Sequence, residues 1–229
     1  MLTSLGGPAG WVLLAGACFA IVDWVAVARG SRWMEYVFKP ATLVAYLCAA
    51  WLLGRGASGG YLAAWFLLAL AFSLAGDVFL MLPAERWFLP GLAVFLMGHI
   101  CYIIGFNQAS PPIGATVPFA IALVLGRLLL PRIVRALDGG DRGALRGPVI
   151  GYSVVLSLML VSALSTWFRP EWSAEARVAA SVGGVLFYAS DLMLAWNEFV
   201  APSKLLGMAV IVVYHVGQLA LVLVVGLVR

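Results

Sequence analysis

Phe187-Tyr188-Ala189-Ser190-Asp191-Leu192-Met193-Leu194-Ala195-Trp196-Asn197-Glu198-Phe199 places an ionisable residue inside an apolar run that starts near Val178. A carboxylate at membrane depth costs roughly 2.5–3.5 kcal/mol on insertion scales, so such residues are rare and face a cavity or a partner. At helical spacing Gly184, Tyr188 and Asp191 share one face, which joins a close-approach residue, a phenol and an acid. The arrangement recurs upstream in Ser73-Leu74-Ala75-Gly76-Asp77-Val78-Phe79-Leu80-Met81. There Ser73, Gly76, Asp77 and Leu80 form a stripe with an acid among small residues. Asp77 and Asp191 are therefore read as the centre of the function.

The surrounding composition fixes the class. Hydrophobic residues make up 64% of the chain and charged ones 10%, against an apolar fraction of about 45–50% in soluble domains. Mean hydropathy is +1.04, and segments of about 20 apolar residues recur along the whole chain. The expected fold is all-α: a polytopic membrane helix bundle in a single integral domain over residues 1–229. The alternating ten-residue strands of a membrane barrel are not seen in the sequence. Net charge is +4, and it reflects loop arginines that set topology rather than nucleic-acid binding. Abundant Ala, Gly and Arg, with Lys39 and Lys204 the only lysines, point to a bacterial inner membrane. Cys18, Cys48 and Cys101 fall in apolar spans without metal or redox spacing and read as inert thiols.

Eight spans are expected, at about 10–28, 40–54, 61–82, 87–107, 115–131, 148–168, 177–198 and 203–228, separated by Gly, Pro and charged breakers. Lys39 opens the second span, with Pro40 in its first turn. The first-to-second, third-to-fourth, fifth-to-sixth and seventh-to-eighth connections, with Arg127 and Lys204 at the span ends beside them, carry ten of the fourteen Lys and Arg residues. These connections are expected in the cytoplasm, with both termini outside. Asp23, Asp77 and Asp191 then lie in one inner layer, and His99 and His215 near the midplane. One shared cavity for Asp77 and Asp191 follows, with Tyr188, His99, Tyr102 and Gln218 expected in its lining. Asp23 reads as a group that snorkels or pairs with Arg29 or Lys39. Gly76-Asp77 with Gly98-His99, and Ser190-Asp191 with Tyr214-His215, would also suit a parallel repeat of four plus four spans.

Two nearby carboxyl groups whose environments differ can divide the work, one giving a proton while the other stays ionised. Such a pair suits a bond that breaks through an oxocarbenium-like state. The substrate would have to be reached from the bilayer, which makes it a lipid. Two His and two Asp lack the spacing of a zinc site, and there is no nucleophile elbow or glycine-rich phosphate loop. No metal and no other cofactor is expected. The alternative from another class is a proton-coupled lipid or small-solute transporter, whose acids carry protons between states.

Gly76-Asp77-Val78-Phe79-Leu80, Phe95-Leu96-Met97-Gly98-His99-Ile100-Cys101-Tyr102, Tyr188-Ala189-Ser190-Asp191-Leu192, and Tyr214 with Gln218 resemble the YhhN-like lysoplasmalogenase family. Lys39-Pro40 fits the same pattern, and the likeness runs over about residues 35–225. The resemblance implies an eight-span membrane hydrolase that cleaves the vinyl ether of lysoplasmalogens to a fatty aldehyde and a glycerophospho-alcohol. It implies Asp77 and Asp191 as the catalytic carboxylates. Lys39, His99, Tyr102, Tyr188, Ser190, Tyr214 and Gln218 form the supporting or substrate-binding set. It carries no role onto His215 or Asp23.

Overall fold

In a bilayer every backbone N–H and C=O must be satisfied within the protein, so long apolar segments become helices. The computed structural model describes residues 7–55, 60–83, 85–109, 111–138 and 142–228. They form α1 (Pro8–Ala28), α2 (Arg32–Gly54), α3 (Gly60–Met81), α4 (Phe88–Phe106), α5 (Thr116–Asp138), α6 (Arg146–Ser165), α7 (Ala174–Phe199) and α8 (Lys204–Leu227). Short 3₁₀ turns lead into α4, α5 and α6 and follow α6. All eight helices are long and apolar enough to cross a membrane. The chain is thus an integral, multi-pass membrane protein, as the composition required.

Neighbours in sequence pack as hairpins, α1 on α2, α3 on α4 and α7 on α8, and α8 also lies against α1, α2 and α3. α5 is the outlier: it packs mainly along α6 and touches α7. Small residues let the hairpins close. A Cβ on Gly98 of α4 would come within 3.2 Å of the Ala69 carbonyl oxygen. One on Gly217 of α8 would come within 3.1 Å of the Phe187 backbone nitrogen. Backbone contact at these two points carries the adjacent His99 and Gln218 into the interior.

The core is not uniform along the bundle. Toward the end where α3 starts and α4 stops it is aromatic, with Phe66 edge-on to Tyr102 and Phe106 at 5.0 and 5.1 Å between centroids. Trp172 closes that end over Phe106. At the opposite end Ile133, Leu137 and Val149 form a smaller cluster with Leu145 and Phe199. Between the two, the helices leave the space described below.

Two expected span edges are corrected. α2 starts at Arg32, so Lys39 and Pro40 lie in its third turn rather than at its opening. Arg32, Glu35 and Lys39 lower the hydropathy of that segment, yet it is held against α3. The Tyr36 hydroxyl donates to the Met81 carbonyl at 3.2 Å. Pro40 cannot donate to the Tyr36 carbonyl, and beside this gap Thr42 Oγ1 donates to the Phe38 carbonyl at 2.8 Å. α5 likewise runs through Pro131 to Asp138. Its last two turns are amphipathic: Ile133 and Leu137 are buried, and Arg132 and Arg135 donate back to the Leu128 and Pro131 carbonyls.

The orientation makes a first testable point. Three helices separate the α5–α6 connection from the chain's end, so reporter fusions at Gly140, which lies outside the described residues, and at the C-terminus should give opposite signals. The basic residues predict a cytoplasmic Gly140. Matching signals, or a Gly140 on the far side of the membrane, would overturn the orientation.

Candidate active site

α3 delivers Asp77 one turn before its end, in the stripe with Ser73 and Gly76. Gly76 has no side chain because Phe95 of α4 fills that place. Asp77 is 1% exposed. Lys39 Nζ of α2 stands 3.1 Å from its Oδ1, and the Tyr214 hydroxyl of α8 donates to its Oδ2 at 2.8 Å. Behind Tyr214 the chain of donors continues: Gln218 Nε2 donates to the Tyr214 hydroxyl at 3.4 Å, and the Tyr102 hydroxyl donates to Gln218 Oε1 at 2.7 Å. An ammonium and a phenol thus hold the first carboxylate. The pair is expensive to break, because either charge alone would be stranded in an apolar setting.

α7 delivers Asp191, which is 9% exposed. His99 Nε2 of α4 lies 3.0 Å from its Oδ2, and the Tyr152 hydroxyl of α6 donates to the same oxygen. His99 Nε2 and the Tyr152 hydroxyl are themselves 2.9 Å apart. Acid, imidazole and phenol therefore meet in one three-way cluster drawn from α7, α4 and α6. The Phe187 ring stacks edge-on at 4.7 Å from His99 and at 5.5 Å from Tyr214. This aromatic wedge keeps the two carboxylate clusters distinct.

Both acids open onto one cavity of about 770 Å³, walled by side chains of α2 to α8. Its lining is mostly Leu, Val, Ile and Phe, and α5 and α6 supply one whole side. That size and character suit a hydrophobic ligand with a few polar anchor points. Lys39, Tyr188, Ser190 and Tyr214 also line it. Ser190 Oγ is engaged, donating to the Val210 carbonyl at 3.1 Å, whereas the Tyr188 ring packs against Leu156 and Leu160.

Three expected lining residues are not there. His99, Tyr102 and Gln218 are buried behind the wall. Phe95 and Tyr214 line the cavity, and the buried Phe187 packs on His99 and Tyr102 at 4.7 and 6.2 Å between centroids, so the three reach the cavity through their hydrogen-bond partners. Asp23 is also corrected. It is 0% exposed and makes no ion pair with Arg29 or Lys39, and neither oxygen has a hydrogen-bond partner among the described residues. His215 faces α1 instead, where the Trp24 Nε1–H donates to its Nδ1 at 3.1 Å. Among the described residues no group of three or more His, Cys, Asp or Glu is placed to hold a metal ion.

Tyr152 is the residue that sequence reasoning missed. It stands between Gly151 and Ser153 with no acid nearby in sequence, and only the packing of α6 against α7 reveals its partner. Its one local sign is weak: Tyr152 and Leu156 share a helical face with Val149, a phenol among aliphatic residues.

An eight-helix membrane bundle that holds two acids on the wall of an apolar cavity defines the class. The chain belongs to the YhhN family, whose model matches residues 34–225. It is 30% identical over 191 residues to the uncharacterised membrane protein YhhN of Escherichia coli O6:H1, covering 82% of this chain and 86% of that one. It is 30% identical over 214 residues to the lysoplasmalogenase of Mycobacterium bovis, covering 88% and 76%. Human lysoplasmalogenase TMEM86B is 30% identical over 161 residues, covering 68% and 60%. No solved structure matches the chain.

Proposed function

We propose that this chain is a membrane hydrolase that cleaves the vinyl ether bond of lysoplasmalogen-type lipids, acting in a bacterial inner membrane. The observation that carries the reading is the pair of buried carboxyl groups on one lipid-sized apolar cavity. The relatives named lysoplasmalogenase supply the bond to be broken.

The chemistry assigns each group a task. Asp191 gives a proton to the β-carbon of the vinyl ether, with His99 and Tyr152 holding its carboxyl group in place. The C=C electron pair takes that proton, and the ether oxygen shares the positive charge left on the α-carbon. Asp77, ion-paired with Lys39, faces that oxocarbenium ion and stabilises it. Water then adds to the α-carbon while a carboxylate takes its proton, giving a hemiacetal. Return of a proton to the glycerol oxygen, with the hemiacetal hydroxyl giving its own proton back to the carboxylate, breaks the remaining C–O bond and releases the aldehyde. One water is consumed and no net proton. Tyr214 and the Tyr102–Gln218 pair keep the Asp77 carboxylate turned toward the cavity.

Incubating the purified, detergent-solubilised chain with a lysoplasmalogen tests this reading, because a transporter makes no product. Free aldehyde is the expected outcome, and its absence would hand the lead to the proton-coupled transporter. Tyr152→Phe removes one donor to Asp191 without changing the shape of the wall. Its kcat is expected to fall by about tenfold or more with KM little changed. Unaltered kcat would remove Tyr152 from the site.

A further inference from the structure

The cavity wall carries two cations, and they are placed very differently. Lys39 is ion-paired with Asp77. Arg127 has no ion pair, hydrogen bond or aromatic partner among the described residues, although it lines the same cavity. It is the central residue of the 23-residue α5, so each end of the helix is about 16 Å away along the axis. Arg127 is exposed and lies one turn before Pro131, where the apolar part of α5 gives way to Arg132 and Arg135. An unpaired guanidinium on an apolar wall is still costly, and it marks a binding function unless something neutralises it.

Snorkelling does not offer an easy escape. Side chains on a helix lean toward its N-terminus, here toward Thr116 and away from the Asp138 end where Arg132 and Arg135 collect. Those two arginines fold back onto their own helix, whereas Arg127 does not. Beside it, Gly126 also lines the cavity, and a Cβ there would meet nothing within 4 Å. The wall therefore offers a free guanidinium next to open space, on the helix least tightly held by the bundle.

We infer that Arg127 binds the phosphodiester monoanion of a single-chain lipid whose tail lies in the cavity. A guanidinium fork matches a phosphate's oxygens two at a time, and the low surrounding polarity strengthens the contact. The inference rests on the hydrolase reading for its lipid, and it assigns the half of the substrate that Asp77 and Asp191 do not touch. Affinity, rather than the chemical step, is what Arg127 provides.

The test is a calorimetric titration in a maltoside detergent with three uncleavable probes. They are a saturated alkyl-ether glycerophosphoethanolamine, a 1-alkylglycerol of the same chain, and chain-free glycerophosphoethanolamine. Wild type should bind the first about tenfold or more tightly than the second, and the third much more weakly than either. Arg127→Gln should bind the two chains alike, with alkylglycerol affinity unchanged as its folding control, and Arg127→Lys should keep part of the preference. Equal affinity of wild type for the two chains overturns the site, whether or not a variant folds. A preference that survives in Arg127→Gln, or chain-free binding as tight as the lipid's, does the same. Because none of the probes is cleaved, a failure to release aldehyde from a vinyl ether sinks the hydrolase reading separately.

Discussion

Asp77→Asn and Asp191→Asn are each expected to lower vinyl ether hydrolysis by about 10²–10⁴-fold while the chain stays folded and monodisperse in detergent. Asparagine keeps the shape of the carboxyl group and much of its hydrogen bonding. It has no carboxylic proton to give a carbon and no charge to set against an oxocarbenium ion. The two losses should differ in what surrounds them. At Asp191 the substitution leaves His99 and Tyr152 bonded to each other, so the wall should hold. At Asp77 it leaves Lys39 without its counter-charge, so some loss of stability should accompany the loss of rate. Asp23→Asn should leave the rate near wild type, because Asp23 does not line the cavity. Aldehyde release by the three variants and wild type at equal protein concentration decides the matter. Either key variant keeping more than about a tenth of the wild-type rate would show that its Asp is not the acid or the stabilising charge.

Lys39→Met is expected to be the most damaging single change to stability near the site. Methionine fills the space but strands a buried carboxylate, and removing one partner of a buried pair costs about 3–5 kcal/mol. Lys39→Met with Asp77→Asn should recover most of that loss, since the charge that needed a partner is gone. The contrast separates this pair from a surface bridge such as Arg142–Glu198, whose side chains are about 40% exposed and which is worth at most about 1 kcal/mol. Thermal unfolding of the single and double variants in detergent measures it. A single variant as stable as wild type, or a double variant no better than the single, would remove the ion pair from the stabilising interactions.

Much of the fold was legible in the sequence because hydropathy reports a single physical requirement, a satisfied backbone in lipid. Eight spans follow from it directly. It failed at the ends of α2 and α5, where charged residues lie within helices. Arg32, Glu35 and Lys39 depress the local hydropathy, and Pro131 looks like a stop. Helices whose charges find partners run on regardless, and Lys39 finds Asp77 on α3.

The acids themselves were legible because a carboxyl group inside an apolar run is improbable without a role. Their partners were only half visible. Lys39, His99 and Tyr214 were expected near the acids, but which serves which depends on packing. His99 of α4 reaches Asp191 on α7, not Asp77 on the adjacent α3, and His215 goes to Trp24 rather than to either acid. Tyr152 left almost no trace, since a phenol in a membrane helix is ordinary until its neighbour is known. The expected lining shrank because His99, Tyr102 and Gln218 are buried among Phe95, Phe187 and Tyr214, of which Phe95 and Tyr214 line the cavity, a packing that no linear pattern shows.

Proton transfer from a carboxylic acid to the vinyl ether β-carbon can be read from the product itself. In D₂O that step places one solvent deuteron on the carbon next to the carbonyl, and trapping the aldehyde at once preserves it. Wild type should release aldehyde carrying a single deuterium at that position, with release collapsing in Asp191→Asn. Aldehyde that carries no deuterium there, or full release by Asp191→Asn, would contradict acid catalysis by this pair of aspartates.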